Sequence, residues 1–139
     1  MAIKRTSTKP KEIPEYIQAL RREGAADIDE MVQTIIYVIN EQAQTVQMKY
    51  RREQAILAEA ARQQMKERGF VRLKALKPRQ IGLSTWTCKR NLVKIICKDN
   101  WQAITVAHQQ RRSEDLLNKL KFAYTKLPGP LQFELSADN

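Results

Sequence analysis

The spacing of apolar residues near the start of the chain predicts two helices. The first covers about 14–23, because Pro14 suits a first helical position and Gly24 suits a stop. The second begins at Asp27, an N-cap residue that Glu30 follows three positions later. The apolar stripes of the two helices are formed by Ile13, Tyr16, Ile17 and Leu20 and by Ile28, Met31, Val32 and Ile35.

Residues 35–48 fit either a β-hairpin or the middle of one long helix. The run from Ile35 to Ile39 is rich in β-branched residues, and Thr45 to Met48 roughly alternate between polar and apolar. A single helix over 27–68 is the alternative, because this stretch contains neither Gly nor Pro. The β-branched composition favours the hairpin slightly.

The second half of the chain alternates between predicted helices and strands. Apolar residues return at helical spacing in three stretches and at a spacing of two in two others. Strand, helix, strand and helix in this order are typical of an α/β fold with a parallel sheet. The predicted elements are a helix over 51–68, a strand over 70–76, a loop over 77–82, a helix over 84–98, a strand over 101–107 and a helix over 113–127 capped by Ser113.

The positive charge of the chain is concentrated in one third of its length. The 139 residues have a net charge of +10, and the stretch from Lys49 to Lys98, with fourteen basic and three acidic residues, has +11. Such clustering favours a surface that faces phosphates, and a solvated basic face is the alternative. The length allows one domain but is short for a complete nucleotide-driven motor.

Cysteine usage and the lack of long apolar runs narrow the class of protein. No apolar run reaches the length that spans a bilayer, and no apolar segment follows the basic start, so we expect neither a membrane anchor nor a signal peptide. Cys88 and Cys97 lie nine positions apart without a metal-ligand spacing. We therefore expect buried, reduced thiols, and we expect Trp86 and Trp101 to belong to the core.

The predicted loop between strand and helix has the position of a phosphate-binding loop. In the pattern G-x-x-x-x-G-K-[ST], glycines turn backbone N–H groups toward the phosphates, the lysine reaches the terminal phosphates and the hydroxyl binds Mg²⁺. Here Gly82 and Ser84 are in place, but Lys77 replaces the first glycine and Leu83 the lysine. Lys77 and Arg79 are close enough in sequence to supply the charge; an ordinary β–α turn is the alternative.

The segment Leu76 to Thr85, with the sequence LKPRQIGLST, closely resembles the deviant Walker A loop of the phage terminase large subunit, the ATPase that drives DNA into viral capsids. Members of that family often carry K-x-R-Q-x-G-x-S-T at this place. The resemblance implies ATP and Mg²⁺ as ligands, Ser84 as the metal ligand, and Lys77 or, second, Arg79 in place of the Walker lysine. The loop residues that it implies as ligand-binding are Lys77, Arg79, Gln80, Gly82, Ser84 and Thr85.

The resemblance extends over about 35–130. The stretch Val46 to Gln54 is similar to the segment in which terminases place a glutamine that contacts adenine, and Gln54 is the matching position; a surface glutamine is the alternative. His108, at the end of the strand over 101–107, resembles the end of the family's second strand, but a plain hydrogen-bonding role is the simpler expectation. The composition predicts a flexible basic arm and short helix over 1–26, and the resemblance implies the amino-terminal portion of a P-loop ATPase domain, with an incomplete parallel sheet, over 27–139.

Terminases continue to a Walker B strand that ends in paired acidic residues and then to a nuclease domain. After Asp115 the acidic residues here are Glu134 and Asp138, and neither follows an apolar strand. We therefore expect a fragment (a truncated reading frame, a prophage remnant or an expression fragment) that binds ATP, has no assigned catalytic residue and hydrolyses ATP very slowly.

The resemblance implies DNA, the terminase small subunit and the portal protein as partners, in the host-cell cytoplasm. The alternatives are a small basic, non-enzymatic nucleic-acid-binding or phage assembly protein and another P-loop enzyme.

Overall fold

A computed structural model describes residues 2–3, 15–76 and 82–132. Within these ranges the chain is a mixed helix and strand structure in which helices dominate and two short antiparallel sheets contribute two strands each. The elements are β1 (Ala2–Ile3), α1 (Glu15–Ala26), α2 (Ile28–Ile35), β2 (Tyr37–Ile39), β3 (Thr45–Gln47), α3 (Arg52–Arg68), α4 (Leu83–Cys97), β4 (Ala103–Ile104) and α5 (Gln110–Thr125), followed by a 3₁₀ turn at Gly129–Leu131.

The first two helices form as predicted, but the break between them lies later. The predicted start at Pro14 lies outside the described residues, and α1 continues through Gly24 to Ala26, so Gly24 as its stop is wrong. A glycine inside a helix costs only about 1 kcal/mol, whereas Asp27 makes a specific cap. The Asp27 carboxylate accepts hydrogen bonds from the Asp29 and Glu30 N–H groups at 3.1 and 3.0 Å, which confirms the predicted start of α2.

The hairpin is confirmed, and the single helix over 27–68 is wrong. Strands β2 and β3 pair antiparallel, with Tyr37 opposite Gln47 and Ile39 opposite Thr45. The turn is closed by Asn40, whose side-chain oxygen accepts hydrogen bonds from two backbone N–H groups of the turn. The predicted helix over 51–68 is also confirmed as α3, which ends at Gly69 in the left-handed conformation with φ +74°.

Helix α4 lies at the centre of the structure and contacts α1, α2, α3, α5 and β4. It begins at Leu83, one residue before the predicted start, and more than one face of it is buried. The core packs around it with α2, the end of β3 and the end of α5. The most enclosed apolar side chains are Val32, Ile36, Leu92, Val93 and Ile95.

The structure differs most from the prediction at the two strands of the α/β arrangement. Residues 70–76 form no strand within the described part of the chain, and β4 is all that remains of the predicted strand over 101–107. The alternating pattern places side chains on opposite faces but cannot supply a neighbouring strand for the backbone N–H and C=O groups. Ile104 and Val106 are 70% and 87% exposed. No parallel pairing occurs among the described residues.

Two further boundaries differ from the prediction. The strand that pairs with β4 is β1, antiparallel, with Ala2 opposite Ile104, so these two residues of the predicted flexible arm are part of a sheet; residues 4–14 lie outside the described ranges. Helix α5 begins at Gln110, after the extended residue Gln109, so Ser113 as N-cap is wrong. Among the described helices, none has both the length and the apolar character needed to cross a bilayer.

Candidate functional site

The end of the predicted phosphate loop forms the amino terminus of α4. Gly82 is the N-cap in the left-handed conformation, with φ +74° and ψ 15°, which glycine adopts without the steric cost that a Cβ brings. The first intrahelical hydrogen bond runs from the Trp86 N–H to the Gly82 carbonyl at 3.0 Å. The backbone N–H groups of Leu83, Ser84 and Thr85 precede this bond, so the helix itself offers them no acceptor.

Of the loop residues implied as ligand-binding, three are described. Gly82 caps the helix, the Ser84 side chain is exposed in the first turn, and Thr85 is half-buried. Lys77, Arg79 and Gln80 lie outside the described residues, so their assignment stays a prediction. The first turn of α4 contains no acidic residue, which leaves the positive end of the helix dipole uncompensated by its own side chains.

Gln54 lies against this helix start. It is the third residue of α3 and is only 4% exposed, so the interpretation as a surface glutamine is wrong. Its side-chain oxygen accepts a hydrogen bond from the Arg51 N–H at 3.0 Å, and its side-chain nitrogen donates to the Gly82 carbonyl at 3.0 Å. Folding therefore brings Gln54 into direct contact with the end of the loop. Each amide atom keeps one further hydrogen-bonding capacity.

Behind the helix start, a buried polar network joins α4 to α2 and to the segment after β3. Asp29 binds Arg90 through two hydrogen bonds of 2.9 and 3.2 Å, and the Tyr50 hydroxyl donates to Asp29 at 2.7 Å. The Tyr50 ring meets the buried Trp86 ring edge to face at 6.3 Å, and the Arg90 guanidinium lies 5.6 Å from the centre of the same ring. These contacts hold the first two turns of α4 in a defined orientation.

This network changes the protonation behaviour of its members. Burial works to raise the pKa of Asp29, but the hydrogen bonds from Arg90 and Tyr50 outweigh it, and the net pKa lies below the usual value of 3.8. Burial raises the pKa of the Tyr50 hydroxyl, and its hydrogen bond to the Asp29 carboxylate raises it further. At neutral pH Asp29 is therefore a carboxylate and Tyr50 a neutral donor.

A buried amine lies on the opposite side of α4, and the sequence pattern did not indicate it. Lys89 is 1% exposed, and its amine donates a hydrogen bond to the backbone carbonyl of Lys119 in α5. Burial lowers the pKa of this amine from 10.5 to about 8. One of the fourteen basic residues in the charged stretch is thus an internal contact rather than part of a phosphate-facing surface.

Exposed basic side chains are nevertheless frequent on α3 and in the residues just before and after it. Glu53, Glu59 and Glu67 are the acidic residues between them. The exposed basic residues of this stretch within the described ranges are Lys49, Arg51, Arg52, Arg62, Lys66, Arg68, Arg72 and Lys74. These eight are the basic residues of the predicted phosphate-facing stretch that are exposed in the described part of the chain.

A groove beside α3 has a polar lining of mixed charge. It has a volume of about 680 Å³ and lies between α2, β3 and α3. Four carboxylates and two basic groups line it, so its charge does not attract phosphates. The helix start at Gly82 is therefore the better anion site. The groove's charged residues are Asp27, Asp29, Glu30, Glu59, Lys49 and Arg62.

The remaining candidate residues are distributed over the structure. Cys88 and Cys97 are free and buried, as predicted, and burial raises the pKa of both thiols. Trp86 is in the core, whereas Trp101 is exposed between the amines of Lys94 and Lys98, so its prediction as a core residue is wrong. His108 is exposed. Among the described residues, no group of three or more His, Cys, Asp or Glu side chains is arranged to hold a metal ion.

Comparison of the chain with protein-family models, with curated proteins and with solved structures finds no match.

Proposed function

We propose that this chain is the amino-terminal portion of the ATPase domain of a phage terminase large subunit and that it binds Mg·ATP at the start of α4. The observation that carries the proposal is the hydrogen bond of 3.0 Å between the Gln54 amide and the Gly82 carbonyl. It joins two segments, 28 residues apart, that both resemble the family.

The chemistry at the start of α4 suits phosphate. Three backbone N–H groups without intrahelical partners and the positive end of the helix dipole favour an anion at this position. In the proposal, Lys77 or Arg79 adds the charge that the Walker lysine normally supplies, and the exposed Ser84 hydroxyl is the protein ligand of the Mg²⁺ that accompanies ATP. We propose nucleotide binding, rather than steady hydrolysis, for this chain by itself.

The proposal includes the finer fold expected for such a domain, an incomplete parallel sheet with strands over 70–76 and 101–107. Exposed apolar side chains in both segments support it. Exposed apolar side chains favour a covering layer, and strands of parallel sheets are covered on both faces. Phe70, Leu73 and Leu76 in the first segment and Ile104 and Val106 in the second are the exposed apolar residues.

A titration with a non-hydrolysable ATP analogue tests the proposal. We expect weak binding that requires Mg²⁺ and falls about tenfold or more in Lys77→Ala, since an amine that contacts phosphate directly contributes at least 1.4 kcal/mol. Lys74→Ala is the matched control, because Lys74 is exposed three residues earlier. Equal binding in Lys77→Ala, with a loss in Arg79→Ala, assigns the role to Arg79. Absence of binding to the unmodified chain contradicts the proposal.

A basic, non-enzymatic nucleic-acid-binding protein is the second candidate, and the exposed basic residues around the end of α3 favour it. Arg62, Lys66, Arg68, Arg72 and Lys74 are all exposed within thirteen residues, with Glu67 as the acidic residue among them. This candidate predicts DNA affinity that falls steeply with salt and does not depend on nucleotide. For the terminase, DNA, the small subunit and the portal protein are the proposed partners.

A further inference from the structure

We propose that Gln54 is a positioning residue that holds the first turn of α4 through the Gly82 carbonyl, and that it does not select the base of the nucleotide. This inference rests on the proposed function, because the turn it holds is the proposed phosphate site. It replaces the adenine contact that the resemblance implies for Gln54 with a role in the geometry of the loop.

Recognition of adenine by a glutamine uses both ends of the amide, one as donor and one as acceptor, and both must face the base edge. In this structure the two ends point at two different parts of the protein. The oxygen accepts from the Arg51 N–H, which caps α3, and the nitrogen donates to Gly82, which begins α4. With 4% of the residue exposed, little of the amide is left for a base.

The contact between Gln54 and Gly82 is so close that a side chain at position 82 would require the Gln54 amide to shift. A Cβ atom built on Gly82 would lie 2.9 Å from the Gln54 side-chain nitrogen. Gly69 has the same φ of +74° but has nothing within 4 Å of such an atom. Glycine at 69 is therefore needed for its backbone conformation alone, whereas at 82 it is needed for the conformation and for the approach of Gln54.

The Gly82 carbonyl receives two hydrogen bonds, from the Trp86 N–H and from Gln54, both at 3.0 Å. A carbonyl oxygen has two lone pairs, so Gln54 completes its hydrogen bonding while the helix uses the other site. The same side chain caps α3, so the starts of two helices are joined through one buried amide. Loss of this link frees the turn that presents the Leu83, Ser84 and Thr85 N–H groups.

The decisive comparison is between ligands with and without a base. Binding of Mg·ATP, Mg·GTP and inorganic tripolyphosphate is measured for the full chain, for Gln54→Glu and for Gln54→Met. The first variant keeps the acceptor toward Arg51 but has no donor for Gly82, and the second keeps the volume without either hydrogen bond. We expect a loss of about tenfold that is equal for all three ligands. Gln42→Glu, in the exposed hairpin turn, is the control for added charge.

Amide hydrogen exchange without ligand separates this inference from the proposed function. We expect the Trp86 N–H to exchange at least tenfold faster in both Gln54 variants, with exchange at Val93 unchanged. Unchanged exchange at Trp86, or a loss of ATP binding that spares tripolyphosphate, overturns the positioning role. If the unmodified chain binds none of the three ligands, the proposed function fails, and the exchange rates alone still decide whether Gln54 holds the turn.

Discussion

Two cations at neighbouring positions of α4, the half-buried Arg90 and the buried Lys89, have opposite environments. Arg90 lies on the side of α2, where Asp29 binds it through two hydrogen bonds and Tyr50 completes the network. Lys89 lies on the side of α5 and has as its hydrogen-bond partner the backbone carbonyl of Lys119, a dipole rather than a counter-ion. The network that contains Arg90 lies behind the proposed phosphate site.

The difference shows what a buried charge requires. Arg90 has a carboxylate as its partner, and hydrogen bonds from Arg90 and Tyr50 outweigh burial, so that the pKa of Asp29 lies below the usual value. A buried amine with a neutral acceptor cannot recover the free energy of hydration that it loses, so the pKa of Lys89 is lowered to about 8. The network around Asp29 and Arg90 therefore stabilises the packing on one side of α4. On the other side, burial of the Lys89 amine lowers the stability of the folded chain near neutral pH.

Asp29→Asn should have the largest effect on this comparison. It leaves the Arg90 guanidinium buried without a counter-ion, and we expect a loss of about 3–5 kcal/mol in the free energy of unfolding, measured with urea. Because the pKa of Asp29 is lowered in the folded state, this contribution is present above pH 3.8 and is lost as the pH falls through the lower folded pKa. The variant should therefore lack part of the acid sensitivity of the original chain.

The control for this variant is Asp99→Asn. Asp99 binds Arg21 at 2.8 Å, but its side chain is 77% exposed. We expect a loss of at most about 1 kcal/mol, since solvent screens an exposed pair. A similar loss in both variants would mean that burial of the Asp29–Arg90 pair has no special weight, and the contrast between the two sides of α4 would disappear.

Lys89→Met is the next largest test, and its effect depends on pH. The unfolded chain holds the Lys89 proton up to about 10.5 and the folded chain up to about 8, so the stability of the original chain rises with pH between these values. At 1.36 kcal/mol per unit of pKa this rise is about 3 kcal/mol. The stability advantage of Lys89→Met over the original chain should shrink by that amount across the same range.

Lys121→Met is the matched control for this effect, because Lys121 is an exposed lysine of α5 and its replacement keeps both the Lys89 amine and the carbonyl that accepts its hydrogen bond. It should retain the pH dependence of the original chain. The raised pKa values of Cys88 and Cys97 act in the opposite direction from pH 9 upward. The Cys97 contribution is common to all three chains, whereas the charge of Lys89 lowers the pKa of Cys88, so Lys89→Met and the original chain are compared most clearly between about pH 8 and pH 9. A pH dependence of Lys89→Met identical to that of the original chain would contradict the burial of this amine.

The smallest effect concerns the start of α4. Gly69→Ala introduces a Cβ at φ +74° in open space, and we expect a loss of about 1 kcal/mol. Gly82→Ala meets the same conformational cost and also brings its Cβ against Gln54, so its loss should be larger. The excess should vanish in a Gln54→Ala background, in a double-mutant cycle measured by urea unfolding. An equal loss at both glycines would remove the packing role of Gly82.

Local patterns predicted the helices and the hairpin well. Asp27 and Gly69 mark helix ends through bonds to their own neighbours, and the hairpin follows from a β-branched run and a polar turn. The prediction of a strand over 70–76 failed within the described part of the chain. An alternating pattern shows which side chains share a face, but it does not show whether another strand is present to pair with. The sequence placed Gln54 near the loop only through resemblance.

What the sequence by itself determined is the set of amphipathic segments and the glycine that precedes α4, because both depend on residues within a few positions of one another. The tertiary structure decided which polar groups are buried and what they bind. Nothing near Lys89 or Arg90 in the sequence shows that Arg90 binds Asp29, 61 residues away, or that Lys89 binds a carbonyl 30 residues away. Such partners depend on the packing of whole helices, which brings distant residues to the two sides of α4.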